Sequence, residues 1–255
     1  MKYRFIPILA LVFIQCFLLS CENSKPHNHN QWFPFQPEFS YSGESVINMS
    51  SWLEKPAGQH GFVQIKDDQL VFEDGTPIKF WGVNICSAKP YVGKDTIDQW
   101  VDWLAYYGIN SVRFHKYTYH GMPEHTSTNL TPSKYENFDY YHQRLKEKGL
   151  YYGWSPVYGH KPRPADSSRI EAYQEIVNAD MNSHLTGSII GLVNFAEDLQ
   201  DLQIELIVNM LNHVNTESGL KYADDPALAF VEFQNEDDFF FATADKIIEQ
   251  CPTYK

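Results

Sequence analysis

The chain has 255 residues, enough for one large domain or two small ones with a full hydrophobic core. Its 20 Lys and Arg face 32 Asp and Glu, a formal net charge of −12, which argues against gripping phosphate backbones or anionic membrane surfaces by charge. Hydrophobic residues at 43% and charged residues at 20% exclude a disordered chain or a coiled coil, and aromatics at 15% supply rings for a core and for stacking on flat, weakly charged ligands.

Lys2 and Arg4 precede a mostly apolar run from Phe5 to Leu19. It is shorter than the roughly 20 residues that span a bilayer and suits the apolar region of an export signal. The run closes on Leu18-Leu19-Ser20-Cys21, which resembles the bacterial lipoprotein box. That resemblance implies cleavage before Cys21, lipidation of its thiol and a lipid-anchored place in the bacterial cell envelope, at the outer membrane surface or a periplasmic face. Residues 1–20 then form the signal, and residues 21–60 a tether that begins polar and rich in Pro. Beyond these segments only Cys86 and Cys251 remain; no CxxC pair occurs, so a disulfide framework is excluded and a single bridge between the two stays open.

From residue 61 to 255 the pattern is that of a folded domain. The runs 62–65 and 69–72, separated by Lys66-Asp67-Asp68, predict a β-hairpin leading into a strand over about 78–84. Residues 95–107 place Ile97, Trp100, Val101, Leu104 and Ala105 on one helical face, and Gly108 stops the helix. Next come a strand over about 110–114, a His-rich loop, a helix over 138–148 and a strand over about 150–154. A Pro-rich loop leads into a largely helical stretch from about 169 to 214, and an apolar strand spans 227–234. Strands alternating with helices predict a parallel sheet with helices packed outside it. Four strand positions are about half of an eight-unit (β/α)8 TIM barrel of roughly 250 residues. The expectation is a barrel-type α/β domain truncated to its first four units, or a smaller α/β domain.

In the last strand, alternation sets Glu232 and Glu236 on one face, with Asn235 on the other. A Glu at the carboxyl end of a parallel strand lies where barrel enzymes keep their active sites, and Arg113 is the available partner for the deeper Glu232. His115, His120 and His125, with Glu124, form a loose cluster whose spacing of five is not that of a helical metal pair, so no metal is expected. Trp154, Tyr158 and His160 follow the third strand of the alternating set, where they line a ligand subsite or, for Trp154, pack the core. Neither GxxxxGK nor GxGxxG occurs, which argues against nucleotide cofactors.

Four segments resemble one family. Residues 74–84 (DGTPIKFWGVN), 107–115 (YGINSVRFH), 145–151 (LKEKGLY) and 225–236 (DPALAFVEFQNE) are similar, in order, to the first four strand motifs of cellulase-like glycoside hydrolases of the family 5 type in clan A. The resemblance covers roughly residues 61–240. It implies hydrolysis of O-glycosidic bonds in a poly- or oligosaccharide by a retaining, two-carboxylate mechanism with no cofactor. It makes Glu236 the general acid/base, Asn235 the holder of the sugar 2-hydroxyl, Arg113 the residue that orients the carboxylates, and His115, Trp154 and His160 substrate contacts. The family's nucleophile is a second Glu on the seventh strand. The sequence stops before a fifth strand, and Glu197, Glu205 and Glu217 in or near the helical region have no claim to that role. The expectation is therefore a chain that is inactive alone and is completed by a longer frame or by a complementing carboxyl-terminal half. A glycan-binding lipoprotein without turnover and a non-functional gene fragment are the alternatives.

Overall fold

The computed structural model describes residues 45–240 and 244–255. The signal and Cys21 therefore lie outside the described residues. Two antiparallel strands, β1 (Val63–Lys66) and β2 (Gln69–Phe72), form the expected hairpin. Four parallel strands follow: β3 (Gly82–Cys86), β4 (Ser111–His115), β5 (Tyr151–Ser155) and β6 (Leu228–Val231), adjacent in chain order. Helices α1 (Lys94–Tyr106) and α2 (Pro132–Glu147) follow β3 and β4, and the connection from β5 to β6 carries α3 (Tyr173–Asn178) and α4 (Glu197–Asn212). A short α5 (Ala244–Gln250) comes after β6.

The parallel sheet forms because one side of each strand is apolar enough to be buried under helices. Val112 and Phe114 of β4, with Tyr152 and Trp154 of β5, are wholly buried, alongside Ile97 and Val101 of α1 and Phe138, Tyr141 and Leu145 of α2. Each large aliphatic side chain taken out of water in this way contributes about 1.5–3 kcal/mol, and a favourable ring pair adds about 0.5–1.5 kcal/mol. At the centre, His142 accepts a bond from Trp154 Nε1 at 2.9 Å through Nε2, while Nδ1 lies 2.6 Å from the Phe138 carbonyl oxygen. Both ring nitrogens are satisfied only in the neutral Nδ1–H tautomer. A second cluster, built from Ile176, Ile189, Leu199, Leu202, Ile247 and others, packs the irregular 179–196 segment against α4 and α5.

Three expectations are corrected. The strand expected over 78–84 begins only at Gly82, because Asn110 occupies the preceding backbone. Its Oδ1 accepts the Trp81 N–H at 2.6 Å and its Nδ2 donates to the Lys79 carbonyl at 2.8 Å. The helix expected over 138–148 starts six residues earlier, at Pro132, a residue suited to a first helical turn. The stretch 169–214 is not largely helical: Gly187 and Gly191 adopt φ of 73° and 75°, outside the helical region, and continuous helix begins only at Glu197. Residues within the segment read as a tether also touch the domain, since the Met49 N–H donates to the Tyr106 carbonyl at 2.8 Å and Ala57 is buried. Cys86 and Cys251 are free thiols.

Burial holds both His142 and His160 down to about pKa 4. Unfolded histidines titrate near 6.5, so between pH 6.5 and 4 the unfolded chain binds more protons than the folded one. The stability these neutral rings confer is complete above pH 6.5 and is lost as pH falls through that window. Each contributes a slope of at most about 1.4 kcal/mol per pH unit. Urea midpoints at pH 7, 6 and 5 should fall in that order, and His142→Gln should remove one of the two contributions. A stability flat over this range would contradict the buried neutral histidines.

Candidate active site

The other side of the sheet carries the chemistry. Alternation sends Ser111, Arg113 and His115 of β4 to the face opposite Val112 and Phe114, and Gly153 and Ser155 of β5 opposite Tyr152 and Trp154. The register sets Asn84 beside Arg113, Arg113 beside Gly153, and His115 beside Ser155. Gly153 is required here: a Cβ would lie 2.2 Å from the Phe230 ring, which crosses over it from β6.

Arg113 is the hub. Its Nε lies 3.0 Å from Glu232 Oε2, and its Nη2 lies 2.9 and 2.8 Å from Oε1 and Oε2 of the same carboxylate. Nη2 also meets Ser155 Oγ at 2.9 Å and Asn235 Oδ1 at 2.9 Å, and Nη1 reaches Asn84 Oδ1 at 3.4 Å. Ser155 Oγ in turn donates to Glu232 Oε1 at 3.1 Å. The forked guanidinium suits this planar, multi-acceptor setting in a way a lysine would not. The pairing of Glu232 with Arg113 was legible in advance. The strict alternation expected through residue 236 was not borne out. β6 ends at Val231, the Phe233 ring turns out to 68% exposure, and Asn235 turns in to join Glu232 on Arg113.

This bend is clamped from behind. Gln203 of α4 donates to the Phe233 carbonyl at 2.9 Å, Asn194 Nδ2 donates to the Asp237 carbonyl at 2.9 Å, and the Gly191 N–H donates to Asp237 Oδ1 at 2.6 Å. Burial pushes the Asp237 carboxyl up to about 6 despite these donors. The clamp leaves Glu236 exposed with φ of 48°, a left-handed conformation that costs a non-glycine residue about 1–2 kcal/mol. Asn235, buried and fixed through its Oδ1, keeps an Nδ2 without a hydrogen-bond partner among the described residues. An exposed carboxylate held on a fixed turn is equipped to exchange a proton with a ligand oxygen that reaches it.

His115 completes the inner face. Its Nδ1 lies 3.0 Å from Ser155 Oγ, and its ring centroid is 6.5 Å from that of Tyr158. Desolvation first, then the charges of Arg113 and Lys116, lower its pKa, while Glu232 and Glu236 oppose the shift. The ring is therefore neutral at pH 7, a hydrogen-bonding group and not a cation. Among the described residues no group of three His, Cys, Asp or Glu side chains is placed to hold a metal ion.

Two expected substrate contacts are corrected. Trp154 is wholly buried on the helix side of β5 and spends its N–H on His142. Its even position in the strand decides this. His160 is also buried, while its neighbours Tyr158, Gly159 and Lys161 line a pocket that it does not. Sequence reasoning missed Ser155 and Asn84, which the strand register would have found as the neighbours of His115 and Arg113. The clamp from Gly191, Asn194 and Gln203 left no sequence signal, since it joins segments 30 to 46 residues apart.

The architecture is that of the first half of a TIM barrel. It is similar to the family 5 glycoside hydrolase mannosidase of Rhizomucor miehei, with a TM-score of 0.52 and 15% identity over 76% of this chain and 54% of that one. A variant of that mannosidase in complex with mannosyl-fructose gives a TM-score of 0.51 and 15% identity, over 75% of this chain and 53% of the other. The chain thus spans about half the length of the solved structures it matches. Its sequence matches no protein-family model and no curated protein. The shared fold is the TIM barrel, as the alternating strands and helices and the four strand motifs led one to expect.

Two substitutions separate strain from pairing. Glu236→Gly should raise stability by about 1 kcal/mol, because glycine adopts the left-handed conformation freely. Glu232→Gln should lower it by about 2 kcal/mol, because Arg113 keeps its charge without a counter-ion in a partly solvated site. Urea denaturation of both variants measures this. Equal losses in the two would remove the distinction between an exposed, strained Glu236 and a structural Glu232.

Proposed function

We propose that this chain is the acid/base half of a retaining glycoside hydrolase, exported and held in the bacterial cell envelope by lipid on Cys21. The observation that carries the reading is Asn235-Glu236 at the carboxyl end of the fourth parallel strand, with Asn235 tied to Arg113 at 2.9 Å. That end of the strands is where barrel enzymes assemble their active sites. The substrate is a poly- or oligosaccharide. In this reading Glu236 protonates the leaving glycosidic oxygen as a second carboxylate attacks the anomeric carbon to form a glycosyl-enzyme. Glu236 then takes a proton from the water that releases the sugar. Asn235 Nδ2 holds a sugar hydroxyl, Arg113 keeps Asn235 and Glu232 in place, and His115 contributes a neutral polar contact. Glu232 is committed to Arg113 and Ser155, so the nucleophile is assigned to a carboxylate outside these four strands.

The role of Glu236 is tested in whichever form of the protein turns over, alone or with a complementing half. A general acid matters most for a poor leaving group such as a sugar hydroxyl and least for an activated phenol. Glu236→Ala should therefore lose roughly 100-fold or more on natural glycans while retaining the first step on an activated aryl glycoside. Azide should then accelerate the second step by replacing the water that Glu236 activates. Equal losses on both substrates without azide rescue would exclude Glu236 as the acid/base. Separately, mass spectrometry of the membrane fraction should find a lipid-modified amino-terminal Cys21. An unmodified peptide running through Ser20-Cys21 would sink the anchor.

A further inference from the structure

Beside the Glu236 site, at the same carboxyl ends of the strands, lies a pocket of about 330 Å³ whose lining includes Ser87, Lys116, Tyr119, Tyr158, Lys161 and His184. We propose that it is a subsite for an anionic sugar unit, one bearing a carboxylate or a sulfate, so that the substrate is an acidic and not a neutral glycan. The inference rests on the glycoside hydrolase reading above and deepens it.

The first support is charge. The chain is acidic, at −12, yet among the described residues no Asp or Glu lines this pocket. Among the described residues, neither Lys116 nor Lys161 has a carboxylate within ion-pairing distance. Instead, Lys116 Nζ sits 5.1 Å from the Tyr158 ring centre and Lys161 Nζ 5.2 Å from that of Tyr119. A lysine over a tyrosine face keeps its charge available to a ligand, and the ring edges offer apolar surface to a sugar. Arg163 is not among the lining residues but sets a further positive charge nearby, its guanidinium carbon 5.2 Å from the Tyr119 ring centre.

The second support is backbone. Ser87 and Lys116 immediately follow β3 and β4, and both adopt left-handed φ, 63° and 44°. Such conformations in non-glycine residues cluster where side chains are aimed at a ligand. Here they turn both residues out of the ladder at the pocket mouth, after the Ser87 N–H has bonded the His115 carbonyl and the Lys116 N–H the Ser155 carbonyl.

The third support is continuity. Tyr158 belongs to this pocket and neighbours His115, and the charges of Glu236 and Asp237 reach it from the β6 side. A ligand running from Glu236 across Tyr158 meets carboxylates first and ammonium groups second. An anionic unit is attracted only at the Lys end, which gives the glycan a direction across the cleft.

Binding of the full chain is measured by titration calorimetry with length-matched oligosaccharides: polygalacturonate, sulfated galactan and neutral β-mannan. The uronate or the sulfated oligomer should bind about tenfold more tightly than the neutral one at 50 mM salt, and the preference should shrink at 500 mM. The pair Lys116→Gln with Lys161→Gln should abolish the preference while leaving the melting temperature unchanged. Which acidic oligomer prevails identifies carboxylate or sulfate. Neutral mannan bound as tightly as both acidic oligomers would overturn the acidic subsite and leave the glycan reading standing. Failure of all three to bind would overturn both. An anion preference that survives the double substitution would overturn the assignment to this pocket.

Discussion

One guanidinium joins all four parallel strands. Arg113 rises from β4, reaches Asn84 on β3 and Ser155 on β5, and takes Glu232 and Asn235 from the segment that leaves β6. A positive charge on the inner face of a sheet requires acceptors on every side, and the residues that supply them are also those that shape the site. The bend after β6 illustrates the dependence. Glu232 and Asn235 both turn toward Arg113, and the chain accommodates this by breaking strand alternation at Val231 and forcing Glu236 into a left-handed conformation. The exposed carboxylate is thus a consequence of how the charge behind it is satisfied.

The same logic distributes the polar and apolar faces. On the helix side, every buried polar group in the Trp154–His142–Phe138 chain has a partner, and burial keeps the imidazole neutral. On the inner face, Asn235 Nδ2 is left without a hydrogen-bond partner among the described residues, and in the core the hydroxyls of Tyr141 and Tyr152 are likewise left over. A buried donor without a partner is destabilising unless something else accepts its bond.

The carboxyl ends of the strands share a further property. Ser87, Lys116 and Glu236, each just past β3, β4 or β6, all hold left-handed φ without being glycine. Parallel strands must leave the sheet abruptly there to reach their helices or loops, and the turn directs a polar side chain into the space above the sheet. The concentration of strain on one rim, with the cationic pocket and Glu236 on that rim, is what makes the face distinctive.

Much of this was legible in the sequence. The alternation of apolar runs at periods of two and 3.6 located the hairpin, the four parallel strands and α1, because these elements bury one face and the pattern records which. The motif ending in Asn235-Glu236 and the partnership of Arg113 with Glu232 were also readable, since both lie on strand ends whose order the alternation supplies. What only the tertiary structure decided are matters of register and of distant chain. Trp154 looked like a ring for a cleft, but its parity in β5 sends it to the core. Ser155 carried no motif, but its register beside His115 brings it to Arg113. The stretch before α4 held enough apolar residues to read as helix, but Gly187 and Gly191 bend it so that Gly191 and Asn194 can grip the β6 exit. Local periodicity determines which face of a segment is buried. Which partners meet across that face depends on strand register and on contacts between residues far apart in the chain, and no single segment encodes those.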